Sequence, residues 1–382
     1  MTTSQAAASA DSEQAALLKQ SVTDFIQRGT DVARARKLRD TVPGFDRKVW
    51  AQMAEFGWTG ILVPEDSGGL GLGLREMGIV LEGLARVLTP EPLNAAAVLA
   101  GTAIRESGNR KLKDELLPAL VEGKLLPALA WQEQAGDLDG GSPALSARPF
   151  EGALKLSGEK RFVQGGLGAD GYAVTARLDG GVALIWVPAS AGGVSAEPLP
   201  QADGRSAATV RLKDVVVPKA NVLAEGPAVT AALQRAFDDT RVMVGAELLG
   251  TMTRALDMSV EYMKTRVQFG KPIGSFQALA HRAVNLHLQK ELSSAALDAI
   301  VAELDRGASP ERRTVLASRL KARCSEAGTR VTREAIQIHG AIGFTDEYDV
   351  GLYTKRAMVL AAWLGNAHAH RRRYAALAPA EE

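Results

Sequence analysis

Two changes of hydrophobic period divide this chain and set what it can fold into. From residue 13 to about 127 apolar side chains recur at helical spacing; between 128 and 226 they condense into short runs cut by glycine and proline; from 227 to 382 the helical period returns. In the first stretch Leu81, Leu84, Ala85 and Leu88 share one face of IVLEGLARVL, which predicts an amphipathic helix between the loop PEDSGGLGLG and the turn at Pro90 to Pro92. The middle stretch reads ALKLSG, GYAVTARL, GVALIWVP and SAATVRLKDVVVP, strand signals at the spacing of a sandwich or barrel. In the last stretch Leu233, Phe237, Val244, Leu248 and Met258 mark one stripe towards Tyr262, and Ser309 with Pro310 reads as the N-cap and first residue of a later helix. The expected architecture is α+β: a disordered tail over 1–12, an N-terminal α-helical domain over 13–127, a central β-barrel or sandwich over 128–226, and a C-terminal four-helix bundle over 227–382.

A chain of 382 residues suits two or three packed units. Its 45 basic residues nearly cancel its 44 acidic ones, so no chain-wide field draws nucleic acid or an anionic membrane. The run Arg371, Arg372 and Arg373 then reads as a solvated helix end. One cysteine, Cys324, rules out an internal disulfide; it reads as a buried helix residue and fits a reducing compartment. The opening MTTSQAAASADS has neither a basic region nor an apolar core of secretory length. No uncharged apolar run approaches the roughly 18 residues that span a bilayer. These features predict a soluble cytoplasmic protein without a membrane span.

The strongest chemical signal is RVQFGKPIGSFQ, Arg266 to Gln277, between two helical stretches. Arg266 offers a planar fork of donors suited to a pyrophosphate, and Gln268 and Gln277 offer amides for sugar and phosphate edges. Gly270 and Pro272 tighten the connection, and Ser275 reads as a cap whose helix presents N–H groups to an anion. A capped helix–helix turn accounts for the same residues. The second signal is IQIHGAIGFTDEYDVGLYTKRA, Ile336 to Ala357, where Gln337, His339 and Gly340 stand at a helix end. Gly340 and Gly343 permit close backbone approach, to a cofactor or simply at a helix C-cap, and His339 fits a structural role.

Together these segments resemble the acyl-CoA dehydrogenase family, whose pattern is an RxQFGxP loop followed about seventy residues later by QxxGGxG. WAQMAEFGWTGILVPEDSGGLGLG, from Trp50, is similar to the family's N-terminal segment, and AFDDTR, Ala236 to Arg241, to the start of its acyl-CoA-binding helix. The resemblance covers most of the chain. It implies the family's three-part fold, an acyl-CoA substrate desaturated at its α,β bond, FAD as cofactor, and an electron-transfer flavoprotein as redox partner. It further implies that Arg266, Gln268, Phe269, Phe276, Gln277, Gln337, Gly340 and Ala341 grip the ADP half of a FAD held mainly by a neighbouring subunit. Ala341 stands where the family has a second glycine. Asp238 and Arg241 match residues that contact the CoA part.

The flavin half departs from the family pattern. QEQAGDLD, Gln132 to Asp139, replaces TEPxxGSD, and Phe162, Val163, Gln164 and Gly165 replace WITN. Desaturation needs a carboxylate to take the α-proton. The two positions where the family carries that glutamate hold Leu364, before Gly365, and Thr240, before Arg241. Glu247 lies about two turns further along the same helix, roughly 10 Å, and Asp239 is turned about 100° around it. The pattern is most like the small subunits of pimeloyl-CoA dehydrogenase and the subunits of two-gene enzymes acting on steroid-derived acyl-CoAs. This implies a non-catalytic chain that pairs with a homologous subunit in a heterotetramer. The alternatives are a self-sufficient homotetrameric enzyme using Asp239 or Glu247, and a binding or scaffold homologue.

Overall fold

The computed structural model describes residues 3–378, with side chains from Glu13 onward except Ser206. In chain order its helices are α1 (Thr3–Gln27), α2 (Val32–Leu38), α3 (Arg47–Glu55), α4 (Leu74–Ala85), a π-helical stretch (Asn94–Ala100) running into α5 (Gly101–Arg105), and α6 (Arg110–Val121). Eight strands follow: β1 (Pro127–Ala130), β2 (Ser146–Phe150), β3 (Ala153–Val163), β4 (Gly171–Leu178), β5 (Gly181–Pro188), β6 (Val194–Pro200), β7 (Ser206–Pro218) and β8 (Val222–Glu225). Then come α7 (Pro227–Thr265), the short strands β9 (Val267–Gln268) and β10 (Lys271–Pro272), α8 (Gln277–Asp305), α9 (Pro310–His339), α10 (Val350–Ala362) and α11 (Ala367–Leu377). Helical backbone thus begins at Thr3, inside the segment expected as a disordered tail; its alanine-rich sequence favours that state. Met1 and Thr2 of that segment lie outside the described residues.

The chain forms two compact units, one of Lys37–Leu74 and Pro90–Thr240, the other of Met1–Arg36, Arg75–Thr89 and Arg241–Glu382. The first is built on one eight-stranded sheet in the order β6-β7-β3-β2-β4-β5-β8, with β1 pairing in parallel to β4. Two hairpins fix its register. Leu178 faces Gly181 across Asp179 (φ 48°) and Gly180 (φ 81°), and Phe150 faces Ala153 across Glu151 (φ 48°) and Gly152 (φ 81°). Positive φ at both central residues is the type I′ turn, whose twist matches that of the strands. Alternate residues Leu156, Val174, Ile185, Val187, Val210 and Val215 fill the core of the sheet and are fully buried. Strands β4, β5 and β7 match the expected runs end to end.

The second unit is helical. Leu81, Leu84, Ala85 and Leu88 are buried, as the helical spacing requires. Helices α4 and α7 touch at Gly250, where a Cβ would stand 2.0 Å from the Glu82 carbonyl oxygen, so no larger residue fits. Ser309 caps α9, accepting the Arg312 N–H at 3.2 Å, with Pro310 in the first turn. Cys324 is buried in α9, and burial pushes its thiol up to about 12. Two shorter helices, α10 and α11, follow the three long ones. Among the described residues no helix is long and apolar enough to cross a membrane.

Candidate functional site

Both segments singled out for a dinucleotide lie in the helical unit. Helix α7 ends where the Arg266 N–H donates to the Tyr262 carbonyl at 2.8 Å; the Ile273 N–H closes the loop on the Arg266 carbonyl at the same distance. Between them β9 and β10 form a two-residue hairpin, Gln268 opposite Lys271, with Phe269 at φ 52° and Gly270 at φ 78°. Glycine adopts that conformation freely, whereas a phenylalanine there is strained by about 1 kcal/mol or more. The strained residue is also 91 % exposed, so its own chain gives the ring no burial to offset the cost. Phe269 meets the Phe276 ring edge-on at 6.1 Å, and the Lys271 ammonium lies 4.5 Å from the Phe276 ring. Arg266, Gln268 and Gln277 are exposed beside them. Ser275 does not cap α8: its hydroxyl donates to the Pro272 carbonyl at 2.7 Å, and Phe276 occupies the cap position without a side-chain bond. The Leu279 and Ala280 N–H groups of the first turn of α8 both donate to the Phe276 carbonyl at 3.0 Å.

The second segment is the end of α9. Gly340 stops the helix at φ 65° and ψ −139°, its N–H turning back to the carbonyls of Gln337 and Ile336. A Cβ on Gly343 would stand 2.8 Å from the Ile336 carbonyl oxygen, so this turn demands glycine for space. Gln337, Ala341 and Ile342 are exposed, and Phe344 is 80 % exposed. His339 is buried with its ring against both Tyr262 and Tyr348, at centroid distances of 4.6 and 4.9 Å.

Leu364, one of the two residues that the resemblance sets at the family glutamate, lies in a buried turn of the same unit. Leu364 (φ 56°) and Gly365 (φ 106°) end α10, and three basic side chains from three helices hold that turn. The Leu364 carbonyl accepts from Arg241 Nε at 3.3 Å and from His370 Nε2 at 2.8 Å. Lys321 Nζ donates to the carbonyls of Ala361 (3.1 Å) and Gly365 (2.8 Å) and to the Ser325 hydroxyl (3.1 Å). Arg241, Lys321 and His370 are all fully buried. Burial, with Arg241 adding to it, pushes Lys321 down to about 7; burial, Arg241 and Lys321 push His370 down to about 3. The turn's backbone is thus held from three sides, and the leucine side chain has no proton-accepting atom.

Thr240, the two carboxylates weighed as alternative bases, Asp239 and Glu247, and Asp238, matched to the CoA part, are all engaged. The Thr240 hydroxyl donates to the Ala236 carbonyl within its own helix at 2.7 Å. Asp239, 1 % exposed, accepts from Arg235 at 2.7 Å and lies 3.8 Å from Arg105. Asp238 is fully buried and accepts from Gln234 at 2.6 Å. Glu247 pairs with Arg356 at 3.2 Å.

In the sheet unit, the loop that departs from the flavin pattern is tied down by a pair that sequence reasoning missed. Glu133 accepts from the N–H groups of Ala144 (2.7 Å) and Leu145 (2.9 Å) and from Lys160 Nζ (2.7 Å). Against the upward push of burial, the Lys160 bond and the Leu145 and Ala144 amides hold Glu133 below its usual range. Lys160 is fully buried and pushed down to about 8, with Glu133 opposing the shift. The signal was a lysine at an inward-facing position of β3. Phe162 follows at φ 57°, a strained aromatic where the family has tryptophan.

Comparison with known proteins places these features. Residues 12–124 match the acyl-CoA dehydrogenase N-terminal domain and residues 230–377 the acyl-CoA dehydrogenase C-terminal domain. Acyl-CoA dehydrogenase IpdE2 of Mycolicibacterium smegmatis is 31 % identical over 357 residues, 93 % of this chain and 95 % of the relative. Among solved structures, a variant of the Tcur3481-Tcur3483 steroid ACAD is 29 % identical with a TM-score of 0.84, covering 96 % of this chain and 98 % of that one. The ChsE4-ChsE5 complex from Mycobacterium tuberculosis is 26 % identical with a TM-score of 0.86, covering 97 % and 98 %. The fold is therefore that of a helical N-terminal domain, a central sheet domain and a helical C-terminal domain, and the cofactor of such proteins is FAD. With its exposed arginine–glutamine loop, its glycine-stopped α9 and near full-length likeness to such enzymes, this chain belongs to the acyl-CoA dehydrogenase family of FAD-dependent oxidoreductases.

Proposed function

We propose that this chain is the subunit of a heteromeric acyl-CoA dehydrogenase that lacks the proton-abstracting glutamate and completes the ADP half of its partner's FAD site. The observation that carries the reading is Leu364, a residue without a proton-accepting side chain, seated in a turn that three buried basic groups hold in place. The residues present fit the ADP half: exposed Arg266, Gln268, Gln277 and Gln337 supply donors, Phe269 and Phe276 supply ring faces, and Gly340 with Ala341 lets the backbone come close. Asp238 and Arg241 are assigned to the CoA part by the same resemblance. No flavin-ring contact is assigned to this chain, because Glu133 of the Gln132–Asp139 loop is spent on Lys160.

When bound, FAD supplies the two-electron oxidation, and in this reading the carboxylate that takes the α-proton comes from the partner. An electron-transfer flavoprotein would serve as the electron acceptor. Likeness to a steroid ACAD and to a two-component complex supports both a heteromer and a bulky acyl group. The arginine partners of Asp239 and Glu247 speak against the self-sufficient alternative.

The test is co-expression with a homologous acyl-CoA dehydrogenase subunit that carries the glutamate. Asp239→Asn and Glu247→Gln in this chain are expected to leave more than about a tenth of the desaturation rate, whereas replacing the partner's glutamate should cost about three orders of magnitude, the usual scale for a lost general base. Desaturation by this chain alone, abolished by Asp239→Asn or Glu247→Gln, would overturn the proposal.

A further inference from the structure

The two segments assigned to ADP are about seventy residues apart in sequence, and His339, buried in the second, packs against Tyr262 just before the first. His339 immediately precedes Gly340, the residue that ends α9. Its ring lies 4.6 Å from Tyr262 at a 31° tilt and 4.9 Å from Tyr348 at 46°. Tyr262 is on the last turn of α7, and its carbonyl receives the Arg266 N–H that starts the other segment. The Nδ1–H of His339 donates to the Ala335 carbonyl at 2.7 Å, which fixes the ring along α9. A Cβ on Gly343 would stand 3.1 Å from the His339 Cβ, so the turn that follows packs directly on the same side chain.

We infer that His339 is a positioning residue: the Tyr262–His339–Tyr348 stack couples the Arg266–Gln277 loop to the Gln337–Gly343 turn so that the two present their donors as one surface. Ring contact carries the coupling, since Tyr262 and Tyr348 each pack a tilted ring against the imidazole. The side chain touches neither cofactor nor substrate in this account. It acts through Tyr262 on Arg266 and through the chain on Gly340. The functional meaning rests on the ADP reading proposed above, while the coupling itself is a property of the chain alone.

Hydrogen exchange on the full-length chain without flavin separates the two. His339→Ala is expected to speed exchange at the Arg266, Ile273 and Gly340 amides together by about tenfold or more, through local opening, while amides of β4 and β5 keep their rates. His339→Phe, which keeps a ring and removes the Nδ1–H bond, should restore slow exchange at Arg266 and Ile273. Unchanged rates at Arg266 and Ile273 in His339→Ala overturn the inference and leave a simple end-of-helix role; so does failure of His339→Phe to rescue. Should His339→Ala not fold, Tyr348→Leu decides, since it removes one ring and leaves the α9 bond: faster exchange at Arg266 and Ile273 supports the coupling, wild-type rates refute it. In the co-purified complex, His339→Ala should lose flavin about tenfold more readily than His339→Phe. Absence of flavin from the wild-type complex would sink the ADP reading but leave the exchange result standing.

Discussion

The Arg266–Gln277 loop and the Leu364–Gly365 turn belong to one helical unit and are held in opposite ways. The loop is fixed by local geometry, a two-residue hairpin and two backbone bonds of 2.8 Å, and it leaves Phe269 91 % exposed. The turn is fixed from outside by Arg241, Lys321 and His370, each fully buried and each from a different helix. An exposed, strained aromatic among donors is a surface shaped for something other than its own chain. A buried turn fixed by three basic groups is held by its own chain. The proposed function assigns recognition to the first and an unfilled base position to the second.

That contrast breaks most readily at Lys321. Lys321→Ala orphans the Ala361 and Gly365 carbonyls and is expected to cost about 3–5 kcal/mol of unfolding free energy in urea titration. A cost under about 1 kcal/mol would mean the turn holds itself. On the loop side, Gly343→Ala forces a Cβ against the Ile336 carbonyl oxygen. It should cost about 2 kcal/mol and lower flavin retention of the complex. Gly270→Ala, with open space around it and only its φ to strain, should cost about 1 kcal/mol.

Acid sharpens the comparison. His370 is pushed from its ordinary 6.5 to about 3 in the fold. Between those values the unfolded chain binds a proton that the folded chain refuses, so stability is full above 6.5 and falls as pH drops towards 3. The slope is about 1.4 kcal/mol per pH unit, and His370→Gln should lower it by that amount. An unchanged slope would mean that His370 takes its proton in the folded state as freely as in water. The smallest effect on stability belongs to the exposed ring: Phe269→Ala should change unfolding free energy by no more than about 0.5 kcal/mol, yet cut flavin retention of the complex about tenfold. Equal retention by variant and wild type would remove Phe269 from the grip.

Legibility in the sequence followed the same division. β4, β5 and β7 were readable because β-branched runs end at glycine and proline turns, and the ADP segments because glycine and aromatic spacing announces a local turn. β2 (SARPF) and β6 (VSAEPLP) escaped because proline and exposed polar residues mask their alternation. α10 and α11 escaped because each is short and alanine-rich, with little amphipathic contrast. Lys321 and His370 could not be found from sequence. In SRLKARCSE and HAHRRR they look like any solvated basic residue, and only tertiary packing buries them. The cap assigned to Ser275 failed because its hydroxyl found the Pro272 carbonyl, a closer acceptor inside its own turn.

Flavin counting tests the division of labour most directly. The chain purified alone and the complex with its homologous partner would each be assayed for FAD per polypeptide by absorbance and protein mass. The account predicts little flavin on the isolated chain and about one FAD per two chains in the complex, as half-sites shared across an interface require. One FAD per chain in an isolated homo-oligomer would contradict it.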